Sequence, residues 1–339
     1  MSRLVRPRLR RLFATTTSAA TVLALAAGCG LLGGSSDNQQ SSTGDVEKAK
    51  IKIAIIPTTD MAPLWVAQKS GYFADEGIEV EIVTKTGGGD VMTSLLGGDV
   101  DFAFASYPLV VQAQEKGRGA KNLKIVVEAA AARPENNAVV ARKDSPLRNE
   151  VDLQAKRIGV TSTGSIVDMA VMATLRSAKA DYSKIDWRQM RFPDMLPKLQ
   201  SGEIDAAFLV EPFITIAQSQ LGAWIVSQPM TGPLDGIPLT GYLALEATTK
   251  DSPKTVAAFQ RVIQKVHREA VTQKGEDAIR QALIEFVNVK SEIAPVVHLP
   301  AYPITTDPTR LQRVPDLMKE FGLIQNRFDI KPLIAPSAN

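Results

Sequence analysis

The stretch Leu199–Phe213, LQSGEIDAAFLVEPF, restates something the chain has already said 104 positions earlier. Sliding the sequence by that amount lays Asp90 on Asp194, Leu95 on Leu199, Gly98 on Gly202 and Asp101 on Asp205. It also lays Ala103 on Ala207, Phe104 on Phe208 and Pro108 on Pro212. These are seven identities over residues 90–108, where average composition gives roughly one. A long-period echo of this kind indicates two similarly built units. Each copy reads as a short helix opened by an aspartate cap and closed by Gly98 or Gly202. An apolar strand follows (Phe102–Ala105; Ala206–Val210) and runs into a proline-started helix. Two such lobes predict a cleft between them.

Working upstream, Ile51–Ile56 reads as a strand, followed by the loop Thr58-Thr59-Asp60 and a helix with Asp60 as its N-cap and Trp65 one turn in. Ile78–Val83 is the next strand, and Thr86–Asp90 carries the glycine triplet Gly87–Gly89 into a helix. Leu123–Ala129 closes a β-α-β-α-β-α-β run, which predicts a mainly parallel sheet covered by helices. Ala138–Ala141 reads as the connector out of the first lobe. The plan then repeats, with strands at Arg157–Val160 and Trp187–Phe192, the loop Thr161–Ser165, and a strand from Trp224. Gly241–Leu245 reads as a return strand into lobe one, with helices at Pro253–Ala270, 276–287 and 308–321 packing around that lobe. The expected organisation is 51–140 plus 240–339 for lobe one and 141–239 for lobe two.

Composition narrows the function. The chain has 339 residues, ordinary hydrophobic and charged fractions, and a formal net charge of +3. Five arginines (Arg3, Arg6, Arg8, Arg10, Arg11) lie in the first 28 residues, which contain no acid. Without them, 39 − 5 = 34 basic residues face 36 acidic ones, a net of −2 that gives no electrostatic case for nucleic acid. Cys29 is the one cysteine, so no intramolecular disulfide or cysteine metal site forms. With only His267 and His298, a multi-histidine metal site is not expected either. His267 reads as a surface position on a long helix and His298 as a loop residue. No cofactor is called for.

The N-terminus reads as an export signal, in which basic residues precede an apolar stretch from about Leu12 to Leu25 and then small residues. Leu25-Ala26-Ala27-Gly28-Cys29 resembles a bacterial lipobox, whose cysteine receives a diacylglycerol; Arg10-Arg11-Leu12-Phe13 resembles a twin-arginine signal. Residues 30–50 are a Gly/Ser/Gln tether, too polar to fold, with a reach of roughly 25 Å.

Ligands of parallel α/β sheets collect at the carboxyl ends of strands, where helix starts present unpaired N–H groups. The loops in that position are Pro57–Trp65, Thr86–Asp90 and Ser106–Pro108 from lobe one, with Thr161–Ser165 and Glu211–Pro212 from lobe two. None has the spacing of a nucleotide-binding P-loop. Asp60, Asp90, Asp194 and Ser106 also read simply as caps. Trp65, Tyr107 and Tyr242 are each either core filler or pocket wall. Glu211 interrupts an apolar run, so it needs a partner, either a ligand or a salt bridge across the hinge.

The series IKIAIIPTTDMAPLWVAQKSGYFADEGIEVEIV, the GGGD loop, LLGGDVDFAFAS, DLQAKRIGVTSTGS and LQSGEIDAAFLVEPF followed by LGAW resembles one superfamily over about residues 51–270. It is the nitrate/sulfonate/taurine and thiamine-pyrimidine-precursor superfamily of extracytoplasmic solute-binding proteins of ABC importers. The resemblance implies a type II periplasmic-binding-protein fold, α/β, with two lobes, two hinge strands and a cleft ligand. It implies delivery to a permease driven by a cytoplasmic ATPase, from a protein held at the membrane by a lipid on Cys29, expected to be a monomer. Carried over by position, the ligand residues are Thr58, Asp60, Gly88, Gly89, Ser106, Tyr107, Ser162, Thr163, Ser165 and Glu211, with Trp65 and Tyr242 beside the crevice. No arginine or lysine lies in the five loops, and Lys85 is the nearest. Because helix starts alone can hold a sulfonate, an aliphatic sulfonate or taurine-like zwitterion is the first expectation. A thiamine-type pyrimidine, stacked on Trp65 or a tyrosine with its amino group on an acid, is the second. The rivals of the same topology, a regulatory effector domain and a pyrimidine-making enzyme, lack here the DNA-binding segment and the catalytic cysteine and histidine they require.

Overall fold

Strand β1 (Lys50–Ile55) alternates outward lysines with inward isoleucines, and Lys50 and Lys52 pair across to Glu79 and Glu81 of β2 (Glu79–Thr84) at 2.9 and 3.2 Å. The computed structural model describes residues 46–116 and 122–338; the expected signal (1–28), Cys29 and most of the tether lie outside the described residues. After β1 come α1 (Ala62–Lys69), α2 (Tyr72–Asp75), β2, α3 (Gly88–Gly97), β3 (Phe102–Ser106), α4 (Tyr107–Glu115) and β4 (Leu123–Ala131). The second group is β5 (Asn137–Ala141), β6 (Arg157–Val160), α5 (Ile166–Ser177), β7 (Asp186–Gln189), α6 (Phe192–Ser201), β8 (Ala206–Val210), α7 (Phe213–Leu221) and β9 (Trp224–Ser227). The chain returns through β10 (Pro238–Leu245) and finishes with α8 (Glu246–Asp251), α9 (Pro253–Glu269), α10 (Gln273–Val287) and α11 (Pro308–Glu320).

Two five-stranded sheets result, ordered β2-β1-β3-β10-β4 and β7-β6-β8-β5-β9. In each, a parallel trio is followed by one antiparallel strand, β10 or β5, delivered from the other half of the chain. The second sheet thus starts at Asn137: the segment expected to be a connector is a full strand of it, buried throughout. The crossings between lobes are residues 132–136 and 228–237.

Alternation divides each strand between two faces. Phe102 and Phe104 of β3 turn toward α1, α9 and Phe259, whereas Ala103 and Ala105 turn toward α3 and α4, where Val91, Leu95, Tyr107 and Val110 pack. The ring of Phe259 lies 4.6 Å from that of Phe102 and 5.2 Å from that of Tyr242. Burial of such rings removes apolar area from water at about 25 cal/mol per Å² and so stabilises the lobe.

Several local expectations change. Asp60 does not cap α1; Met61 occupies that position and the aspartate points elsewhere. Asp90 and Asp194 sit in the first turns of α3 and α6, whose caps are Gly87 and Arg191, so they act on the helix dipole and pair locally with Thr86 and Arg191. The strand expected over Trp187–Phe192 stops at Gln189, because Pro193 starts α6. Gly98 and Gly202 do end their helices in the left-handed region, at φ 83° and 76°. His267 is not on the surface: it is fully buried, its Nδ1 bonded to the Pro303 carbonyl at 2.7 Å, and burial pushes its pKa down to about 4. The segment after α10 folds back over this face of α9, which periodicity within α9 does not reveal. Finally, α11 packs on α4 and β10 but also reaches α5, where Glu320 meets Arg176 at 2.8 Å, so the last helix straps both lobes.

Candidate functional site

The carboxyl ends of β1, β3, β6 and β8 point at a shared cavity of about 110 Å³ between the lobes. Lobe one contributes Thr58 and Asp60 from the turn after β1, Gly88 from the start of α3, and Ser106 from the end of β3. Leu239 and Thr240 come from the first residues of β10. Lobe two contributes Asn137 at the start of β5, Thr161, Ser162 and Ser165 after β6, and Val210 at the end of β8. Apolar walls are Ile56, Phe104, Leu109, Ile166, Val167 and Phe192.

The chemistry of this lining is narrow. Among the described residues Asp60 is its only ionisable side chain; it is 7% exposed and accepts a hydrogen bond from Thr240 Oγ1 at 2.9 Å. Burial raises its pKa to about 6, against the lowering effect of the Thr240 bond. The neighbouring Thr58 hydroxyl is buried with no partner among the described residues. Such a group wants a hydrogen bond from whatever fills the cavity. Ser165 is already employed: its Oγ accepts from Val167 N–H at 3.3 Å, while Asp168 Oδ1 accepts from Ser165 N–H at 2.7 Å, a closed capping box. A Cβ at Gly88 would lie 2.6 Å from Leu109 Cδ1, so any larger residue at the start of α3 requires the Leu109 side chain to move.

Of the residues expected at the site, the structure brings together Thr58, Asp60, Gly88, Ser106, Ser162 and Ser165. The other six go elsewhere. Trp65 is core, stacked on Phe286 with ring centroids 5.4 Å apart. Tyr107 is fully buried beneath β10 and is the reason position 241 has no side chain, since a Cβ on Gly241 would sit 2.7 Å from the Tyr107 hydroxyl. Tyr242 is fully buried and does not line the cavity; its ring packs edge-on against Phe104 and Phe259. Gly89 lies one residue past the lining and Thr163 is exposed.

Glu211 is fully buried outside the cavity, and its partner is not a cation. Its carboxylate accepts from Thr215 N–H at 3.1 Å, Thr215 Oγ1 at 2.8 Å and His298 N–H at 3.2 Å, and its carbonyl accepts from Thr59 Oγ1 at 3.3 Å. Burial raises its pKa against those bonds. It ties lobe two to the turn that carries Asp60. On the cavity's other side, the Gln112 side-chain amide of α4 donates to the Gly164 carbonyl, so the lobes touch at both edges.

Sequence reading missed Asn137 and Thr240. Both stand at the start of the antiparallel strand of their sheet, and an antiparallel strand begins where its parallel neighbours end. A search of strand ends alone passes over them; the symmetry of the two sheets would have found them.

This arrangement defines a two-lobed α/β protein with a cavity between its two sheets. The family described as NMT1/THI5 like matches residues 58–276, more than half of the chain, and the chain belongs to that family. Among its relatives, the formylaminopyrimidine-binding protein of Halalkalibacterium halodurans is 26% identical over 244 residues, 70% of this chain and 71% of that one. The 4-amino-5-hydroxymethyl-2-methylpyrimidine phosphate synthase of Schizosaccharomyces pombe is 23% identical over 291 residues, 79% of each. The crystal structure of the periplasmic aliphatic sulphonate binding protein SsuA from Escherichia coli superposes with a TM-score of 0.67 at 19% identity, covering 85% of this chain and 98% of that one; this likeness is one of fold.

Proposed function

We propose that this protein is the extracytoplasmic solute-binding component of an ABC importer, held at the membrane through Cys29, and that its cleft takes a small heteroaromatic amine of the aminopyrimidine kind. The observation that carries the ligand class is the lining, which among the described residues has a single buried carboxylate, an unpartnered hydroxyl beside it, and no arginine or lysine. A sulfonate buried there would face Asp60 with no opposing charge, which is costly in a dry site. An amino group on a ring instead donates to Asp60, while the adjacent ring nitrogen accepts from Thr58. The volume of about 110 Å³ restricts the ligand to a small molecule. Phe104 and Phe192 take the aromatic role first expected of Trp65 and the tyrosines. The helix starts at Gly88 and Ile166 favour the aliphatic sulfonate as second reading.

Binding rather than catalysis is supported by the donors available: hydroxyls, an amide and one acid line the cleft, while His267 is buried in lobe one and His298 lies behind the hinge. A ligand that touches both lobes favours the closed form by the difference in its affinity for the two forms.

Titration calorimetry with 4-amino-2-methylpyrimidine derivatives and with taurine tests the reading. A pyrimidine is expected to bind, and Asp60→Asn to weaken it by roughly tenfold or more. Affinity should fall as pH drops through about 6, where Asp60 takes up its proton. Tight taurine binding with no pyrimidine binding selects the second reading; binding of neither refutes both.

A further inference from the structure

A second cavity, of about 350 Å³, lies behind the ligand-binding turn, where the first interlobe crossing meets the segment that follows α10. Arg133, Arg280 and His298 line it together with Tyr302, Val271 and Leu299. Its two lining cations differ. Arg280 is held rigidly, with Nε and Nη2 on Glu276 Oε1 at 3.1 and 2.6 Å and Nη1 on the carbonyls of Ala294 and Val297 at 2.7 and 3.0 Å. Arg133 is exposed, and among the described residues no carboxylate pairs with its guanidinium. Both act electrostatically on the Tyr302 oxygen, which places them around the same wall. The nearby acids are already engaged, Glu276 by Arg280 and Glu135 by His298 at 3.1 Å.

We infer that this cavity is a second binding site, for a small organic carboxylate, and that its occupancy is sensed at the cleft. The free planar fork of Arg133 matches a carboxylate, and the apolar walls at Val271 and Leu299 suit a carbon skeleton better than a bare inorganic anion. The coupling is through two bonds. The Tyr302 hydroxyl donates to the carbonyl of Thr59 at 2.9 Å, and Thr59 stands between Thr58 and Asp60 in the cleft. The His298 N–H meets Glu211 Oε1 at 3.2 Å, and the Glu211 carbonyl in turn receives Thr59 Oγ1. Whatever orders Tyr302 and His298 therefore orders the turn that carries Asp60 and the junction joining it to lobe two.

The test titrates the full chain with succinate, with inorganic phosphate as the competing arm. Saturable succinate binding is expected, weakened roughly tenfold by Arg133→Gln. Succinate should also slow amide hydrogen exchange in peptides covering residues 58–64. No saturable binding, or equal affinity in Arg133→Gln, overturns the site. Phosphate binding as tightly as succinate overturns the carboxylate assignment. Unchanged exchange at residues 58–64 on saturation overturns the coupling. Because the titration uses no cleft ligand, its failure leaves the pyrimidine reading standing, and failure of that reading leaves this one standing.

Discussion

The two lobes are built alike at the joint between helix and strand and differently in what they bury. In lobe one, Asp101 accepts from Lys52 N–H at 2.9 Å and from Lys48 Nζ at 2.6 Å, and its own N–H returns to the Lys52 carbonyl. In lobe two, Asp205 accepts from Arg157 N–H at 2.9 Å and from Arg157 Nη2 at 2.6 Å, and its N–H returns to the Arg157 carbonyl. The echoed aspartate thus does one structural job twice: it docks the central parallel strand to its neighbour. Beyond that joint the lobes diverge. Lobe one sinks Glu128 of β4 against Arg310 at 2.6 Å, buries His267, and turns Asp60 into the cleft. The matching strand of lobe two, β9, carries no such ion pair; Trp224 lies under the Arg148 guanidinium, 5.0 Å away. What repeats in sequence is scaffold, and what fails to repeat is where charge is buried.

This contrast can be broken most directly at Arg310. Arg310→Met leaves Glu128 buried without its cation and should cost about 3–5 kcal/mol near pH 8 by chemical denaturation. Burial already raises the Glu128 pKa to about 7, so the loss should shrink at pH 5, where the carboxyl is neutral. An equal loss at both pH values would mean that packing of α11, not charge, is what the arginine supplies.

The next effect is His267. Its folded pKa of about 4 lies below the ordinary 6.5, so the unfolded chain binds the proton first as pH falls. Its contribution to stability is complete above about 6.5, declines through the window down to about 4, and totals on the order of 3 kcal/mol. Asp60 and Glu128, raised by burial, act in the opposite sense, so the term is isolated by comparing wild type with His267→Gln. The variant should lose less stability between pH 6.5 and 4.5; parallel curves would show that the imidazole takes up its proton alike in the folded and unfolded states.

The smallest effect sharpens the likeness itself. Asp101→Asn weakens the charge-assisted bond from Lys48 and Asp205→Asn the two from Arg157, at partly exposed sites, and each should cost about 1 kcal/mol. Similar losses support the shared role. A loss confined to Asp205→Asn would mean that the bidentate arginine, absent from lobe one, carries the joint.

Much of this was legible from residue order because the determinants are local. Gly98 and Gly202 must end helices, the apolar runs Phe102–Ala105 and Ala206–Val210 must be strands, and the 104-residue echo requires two copies of one unit. The class of fold and the loops that reach the cleft follow from those facts. The tertiary structure decided which face of each loop the cleft receives. Trp65, Tyr107 and Tyr242 are adjacent to the cleft in sequence yet are buried in the core, Trp65 against Phe286, Tyr107 against Gly241 and Tyr242 against Phe259, because elements distant in the chain pack over them. It also decided that Asn137 and Thr240 join the site and that His267 is buried, since each depends on a segment distant in the chain arriving alongside. Periodicity reports how a segment divides polar from apolar, and only packing determines what comes to rest against each side.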